Sequence, residues 1–288
     1  MYAAGFFDAE GSIWINKFKH KLCLHPSYNL RINVTSTNRS IINWFKTNFG
    51  GSNRIDLRGK SPRFRWDAYG NTATNFLKRV IPYLQIKRSR AKLALQFQDE
   101  INKNRVRKNV KYNLVSLRSL RQREQFKNQI SAFNHGRPET KLKLPNRYGI
   151  SYTAGLFDGD GSISIFVHRH QCSNHYLRVC IASINQPIIY WLKSYFGGSV
   201  NIRKHLGEYH KHRLYSWRAY SIVAENFLQR ILPRLRLKKS RAKLALQFRK
   251  EKKQNKRQDG KCPWITLERF KEREQFRNQI IFLNRRRG

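Results

Sequence analysis

Acidic residues are scarce in this sequence: 17 Asp and Glu stand against 59 Lys and Arg in 288 residues, a formal net charge of +42. A compact body so charged repels itself and needs a polyanion or abundant counterions. Nucleic acid is the first expectation, because neutralised phosphates supply affinity independent of sequence; an anionic membrane surface is the second. Long apolar runs are also missing. None approaches the roughly 20 residues of a membrane span, so no membrane-spanning segment is expected, and nucleic acid is preferred to a membrane as partner. Cysteine is sparse: Cys23, Cys172, Cys180 and Cys262 form no CxxC pair, which fits a reducing compartment. The opening MYAAGFFDAEGS lacks the basic-then-apolar order of a secretory signal and is not Arg-rich like a transit peptide. Apolar substance is not lacking. At 40% hydrophobic and 13% aromatic, with cations interleaved throughout, the chain is no disordered polyelectrolyte.

The sequence is written twice. YAAGFFDAEGS at 2–12 returns as YTAGLFDGDGS at 152–162, and SRAKLALQF at 89–97 recurs unchanged at 240–248. REQFKNQI (123–130) returns as REQFRNQI (273–280), IINWFKTNFGGS (41–52) as IIYWLKSYFGGS (188–199), and RWDAY (65–69) as SWRAY (216–220). Each match lies 147 to 151 residues downstream. Solenoid repeats run tens of residues, so this is a duplicated domain. The expected organisation is a repeat over 1–133, a linker over 134–147 with Gly and two Pro, and a second repeat over 148–288.

Each copy predicts the same order of elements. A short helix ends at the motif. Alternating segments at 12–19 and 27–35 read as paired strands, with Tyr28, Leu30, Ile32 and Val34 on one face and Asn29, Arg31, Asn33 and Thr35 on the other. A helix follows over 39–48, then strands over 52–58 and 63–69, then helices over 71–81, 87–103 and 116–133. In the second strand pair, Ile55, Leu57, Phe64 and Trp66 face one way, and Arg54, Arg58, Arg65 and Asp67 the other. In the second copy Leu177, Val179 and Ile181 point inward and Arg178 outward. The fold class is α+β: two pseudo-symmetric αββαββα repeats, each with a four-stranded antiparallel sheet under helices. The outer sheet face carries Asn29, Arg31, Asn33, Arg54, Arg58, Arg65 and Asp67, and in the second copy Arg178, Asn201, Arg203 and Arg218. The plain alternative is a solvated sheet surface. Arg and Asn, however, are the residues that read guanine and adenine edges in the major groove, which a β-ribbon fits. Two unlike faces predict a long, non-palindromic site.

The duplicated motif has a further logic. At helical pitch Gly5 and Ala9 share a face, as do Gly155 and Gly159, and small residues four apart let two helices approach closely. The two motif helices are expected to pack side by side, each stopped by Gly11 or Gly161 in a left-handed turn. Just before that stop stands one carboxylate, Glu10 or Asp160, at the unfavourable end of a helix dipole. Asp8 and Asp158, two residues earlier, are candidates for a structural role toward backbone. Two carboxylates placed together are costly unless a cation sits there, and Mg²⁺ suits one or two carboxylates plus substrate phosphates. Such an ion serves phosphodiester hydrolysis.

AAGFFDAEG and TAGLFDGDG, with their strands, helices and linker, resemble the motif of the LAGLIDADG homing endonucleases, in the monomeric two-repeat type, over essentially the whole chain. That resemblance implies two saddle-shaped sheets in the major groove, motif helices at the interface, and cleavage of both DNA strands. It implies that Glu10 and Asp160 meet near the pseudo-twofold axis and bind the metal, with backbone oxygens around Ala9, Gly11, Gly159 and Gly161. Mg²⁺ is the expected cofactor, with Mn²⁺ or Ca²⁺ able to occupy the site. It points to Lys87 and Lys238, in IPYLQIK and LPRLRLK, as basic groups near the scissile phosphates. Ser36 and Ser183 stand where the family often has Gln. Double-stranded DNA is the implied partner of a monomer with an internal pseudo-dimer; the alternative is an RNA maturase assisting group I intron splicing, or both. A DNA-binding repressor is a third reading. The family implies an organelle, chloroplast or mitochondrion, or a microbial cytoplasm. The first motif helix is shorter at its start than the second by about two turns, so an upstream extension is expected.

Other features read as structural. HRHQCSNH (168–175) matches no zinc spacing and falls at a predicted hairpin whose tip is expected to touch DNA. Trp66 and Trp217 recur at inward positions and are expected in the core, as are Leu93, Ala94 and Phe97. The runs KRSR (87–90), KKSR (238–241) and RRR (285–287) are expected to contact phosphates.

Overall fold

The computed structural model describes residues 1–19, 21, 25–57, 61–106, 116–134, 149–168, 174–203, 213–258 and 266–285. The chain divides into two compact units, one of Met1, Ala3 and Phe7–Glu139 and one of Tyr2, Ala4–Phe6 and Thr140–Gly288. The first repeat runs α1 (Tyr2–Glu10), β1 (Gly11–Phe18), β2 (Ser27–Ser36), α2 (Arg39–Phe49), β3 (Ser52–Asp56), β4 (Arg63–Tyr69), α3 (Gly70–Val80), α4 (Arg88–Val106) and α5 (Leu117–Asn134). The second runs α6 (Gly149–Asp160), β5 (Gly161–His168), β6 (Asn174–Ser183), α7 (Gln186–Phe196), β7 (Ser199–Arg203), β8 (Leu214–Tyr220), α8 (Ser221–Ile231), α9 (Lys239–Gln258) and α10 (Leu267–Arg285), with a single 3-10 turn at Leu232–Arg234. The sheets are antiparallel, in the order β1-β2-β4-β3 and β5-β6-β8-β7. The architecture is therefore α+β with two like repeats. The stretch expected as a linker lies, but for Asn134, outside the described residues.

Period-two alternation puts one face of each sheet under the helices. On β2 the residues Tyr28, Leu30, Ile32 and Val34 are buried, and on β6 Leu177, Val179 and Ile181 are. The helices that cover them start from matched caps. The Asn38 side chain accepts from the Ile41 N–H at 3.3 Å and the Asn185 side chain from the Ile188 N–H at 3.2 Å. Ser36 and Ser183 each accept the N–H of that asparagine at 3.1 Å. These two serines thus belong to helix caps, which relieve orphan donors at a helix start.

Trp66 and Trp217 are fully buried and sit among Phe45, Phe49 and Phe76, or Phe196 and Phe227. Burying about 200 Å² of aromatic surface is worth about 5 kcal/mol at about 25 cal/mol/Å², so ring burial outweighs any single hydrogen bond. The indole N–H still needs an acceptor, and takes the Gly50 carbonyl at 2.6 Å or the Gly197 carbonyl at 2.7 Å. The double glycine after α2 makes this possible. Gly51 has φ +87° and a Cβ there would lie 2.5 Å from the Asp67 carbonyl, so no side chain fits.

Two expectations are corrected. Gly11 does not stop α1 in a left-handed turn; it is extended, φ −82° and ψ 153°, and Gly161 has no positive φ either. Glycine is needed there for space, because helix runs straight into strand. A Cβ on Gly11 would lie 2.3 Å from Phe7 Cδ2, and one on Gly161 2.2 Å from Phe157 Cδ2. Second, Ile55 and Leu57 are exposed, not inward. They belong to the outer part of edge strand β3, which the helices do not cover, and Leu57 lies past its end. Among the described residues α6 has 12 residues and α1 has 9; residues 144–148, which were expected to lengthen the second motif helix at its start, lie outside the described ones.

Candidate functional site

Each motif places one acid in the protein and one at its surface. Asp8 is buried, and its carboxylate accepts the backbone N–H groups of Gln85 at 2.7 Å, Ile86 at 3.0 Å and Lys87 at 2.9 Å. Asp158 is equally buried and accepts from Arg236 at 2.7 Å, Leu237 at 3.1 Å and Lys238 at 2.9 Å. Those donors lead into α4 and α9, whose first turns have spare N–H groups and a positive dipole end. Asp158 also accepts the Tyr2 hydroxyl at 2.8 Å, within the second unit. Burial, and then the Asp158 charge, push the Tyr2 hydroxyl pKa far up, so it stays a donor.

Lys87 and Lys238 complete this lock. Both are buried. The Lys238 ammonium donates to the carbonyls of Phe157 at 2.7 Å, Asp158 at 2.6 Å and Gly159 at 3.1 Å. The Lys87 ammonium donates to Phe7 at 2.9 Å, to Asp8, and to Ala9 at 3.5 Å. Each lysine is therefore a cation on the negative end of a motif helix. It satisfies carbonyls that a helix C-terminus leaves orphaned. The expectation of a surface KRSR or KKSR run holding phosphates does not extend to these two lysines, because their charges are turned into the protein.

Glu10 and Asp160 are the last residues of α1 and α6, and both are exposed. Ala9 and Gly159 are half-buried, and their carbonyls already face the lysine ammonium groups. Gly11 and Gly161 begin the strands and are buried. In the second unit, a Cβ on Gly5 would lie 2.0 Å from the Tyr152 carbonyl oxygen, and one on Gly155 2.1 Å from that of Tyr2. Glycine at these positions is a requirement of backbone-to-backbone approach.

The outer face of the first sheet shows Asn29 and Arg54 exposed, with Arg31, Asn33 and Arg65 half-exposed. Arg31 stacks its guanidinium over the Tyr69 ring at 4.8 Å. Asp67, expected on the same contact face, is withdrawn from it: it is 1% exposed. Arg65 Nε donates to its carboxylate at 3.0 Å, and Arg54 Nε lies 3.6 Å away. A buried carboxylate is retained where cations pair with it, and the correction follows from that. Arg58 lies outside the described residues. On the second sheet Asn201 and Arg203 are exposed, and Arg178 and Arg218 half-exposed. Arg178 donates from Nε to Ser164 at 3.2 Å and covers Phe166 at 5.5 Å.

Of HRHQCSNH, residues 169–173 lie outside the described ones. His175 is not at a hairpin tip. It is fully buried, with Nε2 2.8 Å from Glu274. Its counterpart is Tyr28, which donates to Glu124. Among the described residues no three His, Cys, Asp or Glu side chains cluster as a metal site.

Comparison with known proteins agrees with this architecture. The LAGLIDADG endonuclease family model matches residues 3–103. Among solved structures, I-SmaMI bound to an uncleaved DNA target in the presence of calcium ions has TM-score 0.72, at 16% identity, over 96% of this chain and 97% of that one. I-LtrWI bound to target DNA has TM-score 0.72 at 16% identity, over 96% of both chains. I-GzeII in complex with its DNA target has TM-score 0.69 at 15% identity, again over 96% of both. A search of curated proteins found no match. The family model covers the first repeat, and the fold likeness covers both. In this chain the first acid of each motif is a structural lock and the second is exposed at the surface. Sequence reasoning missed two features: Asp67 as an arginine holder and the Tyr28/His175 pairs. The first had a signal in RWD, an acid two residues from an arginine and so on the same strand face.

Proposed function

We propose that this chain belongs to the LAGLIDADG endonuclease family and is a site-specific DNA endonuclease. It hydrolyses phosphodiesters in both strands of a long, non-palindromic duplex site with divalent metal, Mg²⁺ in the first instance. The observation that carries the reading is the exposed carboxylate left at the same place in both motifs, Glu10 and Asp160, on a fold whose solved neighbours were captured on DNA. The residues present fit a hard cation. Each motif offers one exposed carboxylate, a hard oxygen donor of the kind that binds such an ion together with water and phosphate. Glu10 in its motif and Asp160 in its own would each hold an ion, and Mn²⁺ or Ca²⁺ suits the same oxygen donors. Bound there, such an ion supplies an activated water and neutralises charge on the phosphate.

The chain's own residues do the rest. Lys87 and Lys238 hold the ends of α1 and α6, so they orient Glu10 and Asp160 and offset the unfavourable dipole at those carboxylates. The outer sheet faces, with Arg31, Arg54, Arg65, Arg178, Arg203 and Arg218, supply base and phosphate contacts. The test begins with selection of bound and cleaved duplexes from a randomised library in Mg²⁺. Glu10→Gln or Asp160→Asn should then abolish linearisation of a plasmid carrying the selected site while duplex binding in Ca²⁺ survives. Intact cleavage in both variants, or lost binding with intact chemistry, would refute the assignment.

A further inference from the structure

We infer that Asp67 is a positioning residue for base specificity: it sets Arg65 and Arg54 to read guanine in the half-site taken by the first repeat. This rests on the endonuclease reading above. Asp67 lies at the centre of a cross-strand row. Strand β4 sets it two residues from Arg65, and Arg65 pairs across with Arg54 on β3. Both arginines turn Nε to its carboxylate, at 3.0 and 3.6 Å. The atoms that hold the carboxylate are therefore not the terminal nitrogens, whose fork can meet guanine O6 and N7 side by side. Arg54 Nη2 also donates to the Tyr69 hydroxyl at 3.2 Å, and Arg31 lies on the Tyr69 ring. Arg65, Asp67, Arg54, Tyr69 and Arg31 thus form one linked chain of side chains over β2, β4 and β3.

An arginine held this way has little rotamer freedom left to lose when it meets a base, which sharpens discrimination between the right and wrong base. The carboxylate itself is 1% exposed, so it does not present its charge to phosphates. Among the described residues the second repeat has no such device. Arg218 occupies the place of Asp67, Ser216 that of Arg65 and Asn201 that of Arg54, and strands β5 to β8 contain no Asp or Glu. The two half-sites should therefore differ in how strictly they are read, with the stricter guanine requirement on the first repeat's side.

The experiment compares the wild-type chain with Asp67→Asn on the duplex site selected from a randomised library. Binding is titrated in Ca²⁺ on every single-base-pair variant of that site. The expected result is a fall of about tenfold or more in guanine preference at one or two positions of one half-site, the scale of a bidentate arginine–guanine pair. Other positions, and the whole other half-site, should keep their ranking. Arg65→Gln should remove the same preference, and the double variant should add little to either single one. A uniform loss of affinity at all positions would mean a merely structural role and would overturn the inference, as would an unchanged base ranking. If Asp67→Asn does not fold, Arg54→Gln and Arg65→Gln carry the test, and guanine preference retained in both overturns it. A wild-type chain that enriches no duplex overturns the endonuclease reading and this inference with it; enrichment with an unmoved ranking overturns this inference alone.

Discussion

Replacing Asp158 by Ala removes one acceptor from four donors: the N–H groups of Arg236, Leu237 and Lys238 and the Tyr2 hydroxyl. The carboxylate is 3% exposed, so bulk water does not take its place. Hydrogen bonds to a charged group contribute about 1.5–3 kcal/mol each, and a buried donor left unpaired costs about 1–3 kcal/mol. Four bonds to one carboxylate do not add, and the vacated space admits some water. The expected loss is therefore about 3–5 kcal/mol, the range for breaking a buried charged network. For a chain this size each kcal/mol moves Tm by roughly 2–4 °C, so the midpoint should fall by roughly 6–20 °C. Tyr2→Phe removes only one of the four bonds and should cost about 1–2 kcal/mol. Asp8→Ala removes the three backbone bonds recorded for Asp8 and should fall between them, at about 2–4 kcal/mol. Thermal and urea unfolding of the full chain, followed by circular dichroism, gives the order. A Tm for Asp158→Ala within about 2 °C of wild type, or a Tyr2→Phe loss equal to that of Asp158→Ala, would refute the view that this carboxylate holds the helix ends together.

Gly155→Ala drives a Cβ to 2.1 Å from the Tyr2 carbonyl oxygen and 2.8 Å from the Phe6 nitrogen. Backbone cannot yield as a side-chain tip can, so the cost should reach or exceed the upper end of the usual overpacking range of about 1–3 kcal/mol; an unchanged urea midpoint would count against the close helix approach. His175 gives a pH test. Burial holds its pKa below the usual histidine value, with Glu274 pulling the other way and Arg273 and Lys252 adding to the depression. The folded state thus binds fewer protons than the unfolded one below about pH 6.5, so stability is present above that pH and declines as pH falls through the depressed value. His175→Tyr writes the first repeat's Tyr28–Glu124 pair into the second and should remove that decline, read from urea midpoints between about pH 7 and 5. Glu124 adds a lower window. Lys127, Lys17 and Tyr28 hold its carboxyl at about 2 against an ordinary 4.5. Its contribution is present above the unfolded value and lost as pH falls from about 4.5 toward 2. At its partial exposure that contribution is about 1 kcal/mol, and Glu124→Gln should flatten it.

Much of the fold was legible because two periodicities and one duplication act locally. Alternation on Tyr28 to Val34 could only be satisfied by one buried face, and the recurrence of each segment checked every assignment a second time. What failed was non-local. Whether Ile55 is covered depends on how far the helices extend over the edge strand, which no pattern within SNRID records. Gly11 fitted a left-handed stop equally well, because the sequence shows that a glycine is needed without showing whether φ or space demands it. In the site, the roles of the two motif acids were readable in outline, since only one can point out of a helix end while the other meets backbone. The two lysines illustrate the limit. IPYLQIK and LPRLRLK fixed their place in the chain, but not the direction of the ammonium groups, which depends on carbonyls some 80 residues away.

The divergence between the repeats then has a physical sorting. Asp8 and Asp158, Lys87 and Lys238, Gly5 and Gly155, Trp66 and Trp217, and Asn38 and Asn185 are the same residue in both copies. All are buried or engaged with backbone, and each fixes where a helix ends or how closely it approaches. The outward rows differ almost everywhere: Asn33 against Cys180, Arg65 against Ser216, Asp67 against Arg218, Arg54 against Asn201. Duplication preserves whatever aims Glu10 and Asp160, because a change there misplaces a carboxylate and disrupts a packed core together. The outward sheet faces carry no such constraint, since a solvent-facing strand residue can change without repacking. On the proposed endonuclease reading, a chain built this way can alter one half of its site at a time. An exchange of the β3–β4 outward residues for those of β7–β8 should therefore move the preference of one half-site and leave cleavage chemistry in place.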